Sequence, residues 1–75
     1  MLFRTRYVVD GYHIPTDSAF SLMWGTYNVR AVSARHALNK ALRIVCAMPG
    51  YADRVDHADW TVTATVTDVT LAEAQ

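Results

Sequence analysis

The sequence has little cysteine and no long apolar run, and each absence excludes a class of structure. Cys46 is the one cysteine among 75 residues, so the chain cannot close a disulfide within itself. This usage is typical of a reducing compartment, and we expect a cytoplasmic protein. No segment approaches the roughly 20 apolar residues of a membrane-spanning helix. Arginines interrupt the apolar residues at the start of the chain, so neither a signal peptide nor a membrane partner is expected.

Short motifs of common active sites are also missing. The chain has no Gly-rich phosphate loop, no HExxH and no CxxC. Cys46 falls late in a predicted helix, where the helix dipole disfavours a thiolate, so we interpret it as structural. One loop concentrates carboxylates and an imidazole, namely Asp53, Asp56, His57 and Asp59. Their spacing matches neither a calcium loop nor a zinc site. We therefore expect a solvated acidic loop, no enzyme, no cofactor and no metal.

What the sequence does contain is enough apolar surface for a folded core. Apolar residues make up 52% of the chain and aromatic residues 11%, which argues against disorder. Residues 1–75 are expected to form a single domain. A chain of this size buries only about 60–65% of the surface that its unfolded form exposes. Self-association often adds stability to such a chain, so we expect a homodimer.

Hydrophobic periodicity divides the chain into three strands and one helix. The predicted strands cover about residues 3–9, 19–32 and 60–69, the helix covers 34–48, and 70–75 form a frayed tail. Ser33 is the predicted N-cap, and Pro49 with Gly50 ends the helix. Residues 10–18 are rich in Gly, Pro and Asp and are the expected loop between the first two strands.

The second predicted strand changes the phase of its alternation near Gly25. One extra residue resets which face of a strand points inward, so we predict a β-bulge near Gly25. The residues of this strand expected to face the core are Phe20, Leu22, Trp24, Tyr27, Val29 and Ala31. With Tyr7 and Trp60 also directed inward, the outer face of the sheet is expected to lack aromatic rings.

The last strand places threonine at every second residue. Thr61, Thr63, Thr65 and Thr67 alternate with Val62, Ala64 and Val66. Threonine is polar but β-branched, which suits the solvent face of a strand. The predicted fold is therefore α+β, a ββαβ arrangement with a three-stranded antiparallel sheet of order 2-1-3. One amphipathic helix packs on one face, and either edge strand is free to pair with a second copy.

Charge is unevenly distributed along a chain whose formal net charge is zero. Residues 1–48 carry six basic and two acidic residues, whereas residues 49–75 carry one basic and five acidic residues. Outward positions of the predicted helix hold Arg35, His36, Asn39, Lys40 and Arg43, and the outer sheet face adds Arg4, Arg6 and Arg30. A helix face without acidic residues lacks the i,i+4 ion pairs that usually stabilise an exposed helix. We interpret its unbalanced positive charge as an indication of an acidic partner. A solvated helix face and charge pairing within the fold are the alternatives.

The stretch YNVRAVSARHALNKAL, residues 27–42, resembles a strand-to-helix junction of small phage and prophage proteins. In those proteins an A-x-S sequence ends the strand, and the helix carries alanines four apart, here Ala37 and Ala41. Small size and the ββαβ layout are also similar to phage-encoded inhibitors of host systems, including some anti-CRISPR proteins. The resemblance implies an accessory protein of a phage or mobile element, and it carries over no functional residue.

The preferred hypothesis is a non-enzymatic inhibitor or adaptor that acts in the host cytoplasm. Its basic residues would occupy a protein partner with an acidic surface. One alternative is a small nucleic-acid-binding protein that uses the basic helix face, which a steep salt dependence would distinguish. The other alternative is an oligomeric structural subunit, which predicts a large assembly in solution.

Overall fold

A computed structural model describes residues 1–72 and consists of a sheet covered on one face by a helix. In chain order, the elements are β1 (Leu2–His13), β2 (Ser18–Arg30), α1 (Ala34–Cys46), α2 (Pro49–Ala52) and β3 (Trp60–Leu71). β1 lies between β2 and β3 and pairs antiparallel with both. The predicted α+β ββαβ fold with strand order 2-1-3 is therefore confirmed. Within residues 1–72, no helix is long and apolar enough to cross a membrane.

Small residues bring α1 close to the sheet. Ala37 and Ala41 are fully buried and form one core cluster with Phe3 of β1 and Val29 of β2. Because alanine adds only a methyl group, the helix backbone can approach the sheet without leaving a cavity. Within the described part of the chain, the one buried polar residue is Thr5, whose hydroxyl donates to the backbone carbonyl of Tyr27 in β2 at 2.6 Å. That hydrogen bond offsets the cost of burying the hydroxyl.

Capping residues define both ends of α1. Ser33 is the N-cap, as predicted, and its hydroxyl accepts the backbone N–H of His36 at 3.1 Å. The helix ends at Cys46, before the predicted end at residue 48. Met48 is extended and precedes Pro49, which is the first residue of α2. Proline is favoured at a first helical position, so Pro49 begins a second short helix here.

β1 continues into the segment predicted as a loop and covers its residues 10–13. It pairs with both neighbouring strands as far as His13, so the connection to β2 shortens to residues 14–17. Asp17 adopts a φ of 52°, and its N–H donates to the carbonyl of Ile14 at 3.2 Å. A central strand gains hydrogen bonds on both edges. These outweigh the local turn preference of Asp10 and Gly11.

The sheet extends well beyond the helix. The molecule measures 50 × 17 × 16 Å. The 13 residues of α1 span about 20 Å, whereas the 12 residues of β1 span about 40 Å. An aromatic cluster covers the remaining inner face. The Trp60 ring lies 4.7 Å from His13 and 5.8 Å from Phe20, and the Arg54 guanidinium lies 5.1 Å from its centroid.

The β-bulge of β2 lies at Leu22, and the prediction that placed it near Gly25 is wrong. The register between β1 and β2 shifts between Val9 and Asp10, which leaves Leu22 as the extra residue. Gly25 stays in regular register, directly opposite Tyr7. Because side chains alternate along a strand, moving the bulge reverses the face of every residue between the two positions.

This displacement places Trp24 on the outer face of the sheet. Trp24 pairs with Val8 and is 71% exposed, so its assignment to the core is wrong. Met23 takes the inner face instead and approaches the backbone of Gly50 in α2. The other predicted core residues of this segment do share the inner face, and Val29 and Ala31 are buried. Phe20 and Tyr27 remain exposed, at 47% and 41%.

β3 has the predicted alternation. Thr61, Thr63, Thr65 and Thr67 are exposed, whereas Trp60, Val62, Ala64 and Val66 are half-buried. A second bulge lies at Thr67, whose hydroxyl donates to the carbonyl of Arg6 at 3.3 Å. β3 pairs with β1 as far as Leu71, so residues 70 and 71 belong to the strand and not to the predicted tail. Residues 73–75 of that tail lie outside the described residues.

Candidate functional site

The outward side of α1 carries five of the eight residues predicted to bind a partner. We call this the helix surface, and it consists of Arg35, His36, Asn39, Lys40 and Arg43. The helix has no acidic residue in its first turn or elsewhere in its sequence. Among residues 1–72, the side chains of Arg35, Asn39 and Arg43 make no hydrogen bond or ion pair. These three side chains are exposed, so their polar groups are available to a partner.

Two members of the helix surface also have local structural roles. Lys40 is half-buried, and its Nζ donates to the carbonyl of Arg30 at 2.6 Å. The Nδ1 atom of His36 accepts the backbone N–H of Val32 at 3.2 Å. The Lys40 contact ties the last residue of β2 to the middle of α1, and the His36 contact ties the connection before the helix to its first turn. Substitution of Lys40 or His36 would therefore change the fold as well as the surface.

The remaining three predicted residues lie on the opposite side of the molecule. Arg4, Arg6 and Arg30 alternate with the buried residues Phe3 and Val29, so they point away from α1. The sheet and the helix layer separate these arginines from the helix surface. A flat partner can therefore contact one of the two basic surfaces but not both.

Aromatic rings accompany the arginines on the outer face of the sheet. We call this the sheet surface, and it consists of Arg4, Arg6, Val8, Tyr12, Trp24 and Arg30. Trp24 is 71% exposed and Tyr12 is 39% exposed. The expectation that this face lacks aromatic rings is therefore wrong. Among residues 1–72, no other ring stacks on Trp24.

A groove runs across the sheet surface beside Trp24. Its volume is about 390 Å³, and its walls include Arg6, Val8, Trp24, Thr26 and Thr67. Ligand-binding clefts commonly have volumes of about 300–1,000 Å³. The groove combines an indole ring, an arginine and two hydroxyl groups. It is therefore suited to a planar ligand with polar edges and negative charge.

Sequence reasoning missed Trp24 because three large apolar residues occur in succession. Leu22, Met23 and Trp24 must divide between two faces of a strand, and each division is compatible with some bulge. A signal was present in Gly11, which is the partner of Phe20 across the strands. A Cβ atom at Gly11 would lie 2.5 Å from Cδ1 of Leu22, so the glycine leaves room for Leu22 to point inward.

The acidic loop does not assemble a metal site within residues 1–72. Asp53, Asp56 and Asp59 are exposed, and His57 uses Nδ1 to accept the backbone N–H of Asp59 at 3.2 Å. No group of three or more His, Cys, Asp or Glu side chains in the described chain is arranged to hold a metal ion. Cys46 is a half-buried thiol late in α1.

The fold and these surfaces define a small α+β protein with one sheet face covered by a helix and the other open to solvent. Comparisons with protein-family models, curated proteins and solved structures find no match. The function is therefore inferred from the two surfaces themselves.

Proposed function

We propose that this chain is a non-enzymatic binding protein that occupies an acidic protein surface through its helix surface. It would act as an inhibitor or adaptor in the host cytoplasm, of the kind that phages and other mobile elements encode. The main supporting observation is that Arg35 and Arg43 are exposed on a helix that contains no acid. Pairs at i,i+4 typically stabilise an exposed helix by about 0.2–0.5 kcal/mol each. α1 forgoes this stabilisation and leaves both guanidinium groups for a partner.

The spacing on the helix surface fits a row of carboxylates. Arg35, Asn39 and Arg43 follow one another at intervals of four residues, so they form a row on one side of α1. Each interval corresponds to about 6 Å along the helix axis. Guanidinium groups bind carboxylates through two parallel hydrogen bonds, which fixes the orientation as well as the affinity of a complex.

An apolar groove beside this row favours a protein partner over nucleic acid. The groove lies between α1 and β3, has a volume of about 250 Å³, and is lined partly by Ala34, Leu38 and Val69. Leu38 is 36% exposed. Protein interfaces combine an apolar centre with a charged rim, whereas phosphate contacts need only the cations. Carboxylates on the row and an apolar side chain in the groove would satisfy both features.

Replacing Arg35 and Arg43 together by alanine should reduce capture of the protein partner from nuclease-treated host lysate by about tenfold or more. Hydrogen bonds to charged groups contribute about 1.5–3 kcal/mol each, so losing two such contacts is readily detected. The measurement is quantitative recovery on the tagged protein. Both arginines are exposed and make no hydrogen bond or ion pair among residues 1–72, so the variant should retain its circular dichroism spectrum.

A charge-matched control separates the helix surface from net charge. The Ala19→Glu/Thr61→Glu variant also lowers the net charge by two, but it does so at exposed positions on the opposite side of the molecule. It should capture the partner as well as the unmodified protein does. Equal capture by both variants and the unmodified protein would contradict the proposal. Loss of all captured protein after nuclease treatment would instead favour the nucleic-acid alternative.

We also propose that two copies associate along a free edge of the sheet. β2 and β3 are long edge strands of 13 and 12 residues, and neither contains proline or lysine, which commonly protect such edges. Light scattering should therefore give a mass of twice 8.4 kDa. A mass of 8.4 kDa at all concentrations would contradict the dimer. A much larger particle would favour the structural-subunit alternative.

A further inference from the structure

Trp24 is the most exposed aromatic residue on the sheet surface. Trp24 is 71% exposed and lies on the edge strand β2, opposite Val8 of the central strand. Tryptophan is highly buried on average in folded proteins, and exposed tryptophans are enriched at binding sites. Among residues 1–72, no hydrogen bond, ring contact or cation engages this side chain. The fold therefore gives Trp24 no structural partner.

We infer that the sheet surface binds single-stranded nucleic acid, with a base stacked on Trp24 and phosphates held by the arginines of β1. This site is separate from the helix surface and does not depend on the function proposed for it. Stacking on an aromatic ring suits any base, because every base has a π-face. The inferred ligand class is therefore single-stranded RNA or DNA without strong sequence preference.

The arginines lie in line with the groove beside Trp24. On the outer face of β1, Arg6 lies about 7 Å from Val8 and Arg4 lies about 14 Å from it, both toward the start of the strand. They therefore place two guanidinium groups on the path that a strand would take along the sheet. Thr26 and Asn28 stand opposite them on β2 and provide hydrogen-bonding groups for base or sugar edges. No ion pair engages Arg4 or Arg6 among residues 1–72.

Charge favours a nucleic acid over a second copy of the sheet surface. Among residues 1–72, this face carries Arg4, Arg6 and Arg30 but only two carboxylates, Asp10 and Asp68. Packing two such faces together would remove six arginines from water against four carboxylates, which carries a large desolvation cost. A nucleic-acid strand supplies the missing negative charge and leaves the contacts hydrated. A duplex fits less well, because its bases are stacked on one another and cannot reach the indole.

Fluorescence anisotropy with labelled poly(dT) and poly(U) of about 16 nucleotides tests the inference, because this is the upper site size of comparable stacking surfaces. Trp24→Ala should weaken binding by about 10- to 100-fold, the usual effect of removing an aromatic side chain on which one base stacks. Trp24→Phe should restore part of the affinity, because phenylalanine also stacks. Trp24 is largely exposed, so both variants should keep the fold.

The salt dependence of binding distinguishes the phosphate contacts of the arginines from the base stacking of Trp24. Arg4→Ala/Arg6→Ala should lower the slope of log K against log salt by about 1.4, since each phosphate contact on a single strand contributes about 0.7. Trp24→Ala should leave that slope unchanged. Arg35→Ala/Arg43→Ala alters only the opposite side of the molecule and should bind both oligonucleotides normally.

Four results would overturn the inference. In the first, the protein does not bind single strands at low salt. In the second, Trp24→Ala binds them as tightly as the unmodified protein does. In the third, the protein prefers a duplex, and in the fourth, only Arg35→Ala/Arg43→Ala loses binding. A fifth would identify a different occupant: conversion of a dimer to a monomer by Trp24→Ala, measured by light scattering. The helix surface is tested by protein capture after nuclease treatment, so failure of one proposal is distinguishable from failure of the other.

Discussion

Replacing Ala41 by aspartate should destabilise the protein by about 4 kcal/mol or more, because it buries a charge that has no partner. Ala41 is fully buried between α1 and the sheet, within the core cluster that contains Phe3 and Val29. The free energy of unfolding of a chain this short is about 4–11 kcal/mol. The substitution therefore removes between about one third and all of the free energy of unfolding, and the midpoint of urea denaturation should fall accordingly. Circular dichroism during urea denaturation measures the change.

The matched control is the same substitution at the start of the helix. Ala34 is exposed and is the first residue of α1, which has no acid in its first turn. A negative charge at a helix N-terminus interacts favourably with the helix dipole, so Ala34→Asp should stabilise the fold by about 0.3–1 kcal/mol. A loss of stability of similar size in both variants would show that aspartate is unfavourable anywhere in α1, and would contradict the described packing.

Replacing Phe3 by alanine should cost about 3–5 kcal/mol, the usual effect of removing a buried phenylalanine. The Phe3 side chain is 6% exposed and contributes to the cluster in which β1 and β2 meet α1. In a domain of this size, 1 kcal/mol shifts the melting temperature by about 4–8 °C. We therefore expect Phe3→Ala to melt at least about 12 °C lower, as measured by calorimetry.

Phe20 provides the comparison for Phe3 within the same sheet face. It lies beyond the cover of α1, is 47% exposed, and contacts the Trp60 ring at a centroid distance of 5.8 Å. Phe20→Ala should cost about 1–2 kcal/mol, because about half of the ring is already in water. If Phe20→Ala were as destabilising as Phe3→Ala, the stability of the sheet would not be concentrated beneath α1.

Together, the two proposals would make the molecule an adaptor. We propose a protein as the ligand of the helix surface with its apolar groove. We infer a nucleic-acid strand as the ligand of the sheet surface with Trp24 and its arginines. Because the two surfaces lie on opposite sides of the sheet, both proposed ligands could bind without steric conflict. A protein that joined an acidic partner to single-stranded nucleic acid would differ from a simple competitor of either ligand.

Local patterns were sufficient to predict the elements and their order. The alternating threonines of β3 indicate a strand with one solvent-exposed face and one packed face. Ser33 marks the start of α1. Placing the third strand beside the first is the simplest arrangement that avoids a parallel strand pair, and it gives the order 2-1-3 that the structure has. These features depend on residues that are close in sequence, so they can be read without knowing the tertiary contacts.

The position of the bulge in β2 was decided only by contacts across the strands. In the sequence Gly25 looks like the bulge residue. In the structure it stays in regular register, opposite Tyr7, and the ring of Tyr7 lies against it. A Cβ atom there would be 2.9 Å from the hydroxyl oxygen of that tyrosine. Gly11 opens the space that lets Leu22 point inward. Neither pairing is visible from the sequence of β2 alone, and together they decide that Trp24 faces solvent.

The sequence by itself therefore determined the three strands, the main helix and their order, and that the chain carries two groups of basic residues. Tertiary structure decided how far α1 covers the inner face on which Phe3 and Val29 lie, and it leaves open the outer face, to which the alternation already assigned the arginines of the sheet. It also decided that one group has an aromatic ring beside it. The physical reason is the period of two along a strand: a bulge displaced from Gly25 to Leu22 moves Trp24 from the core to the surface.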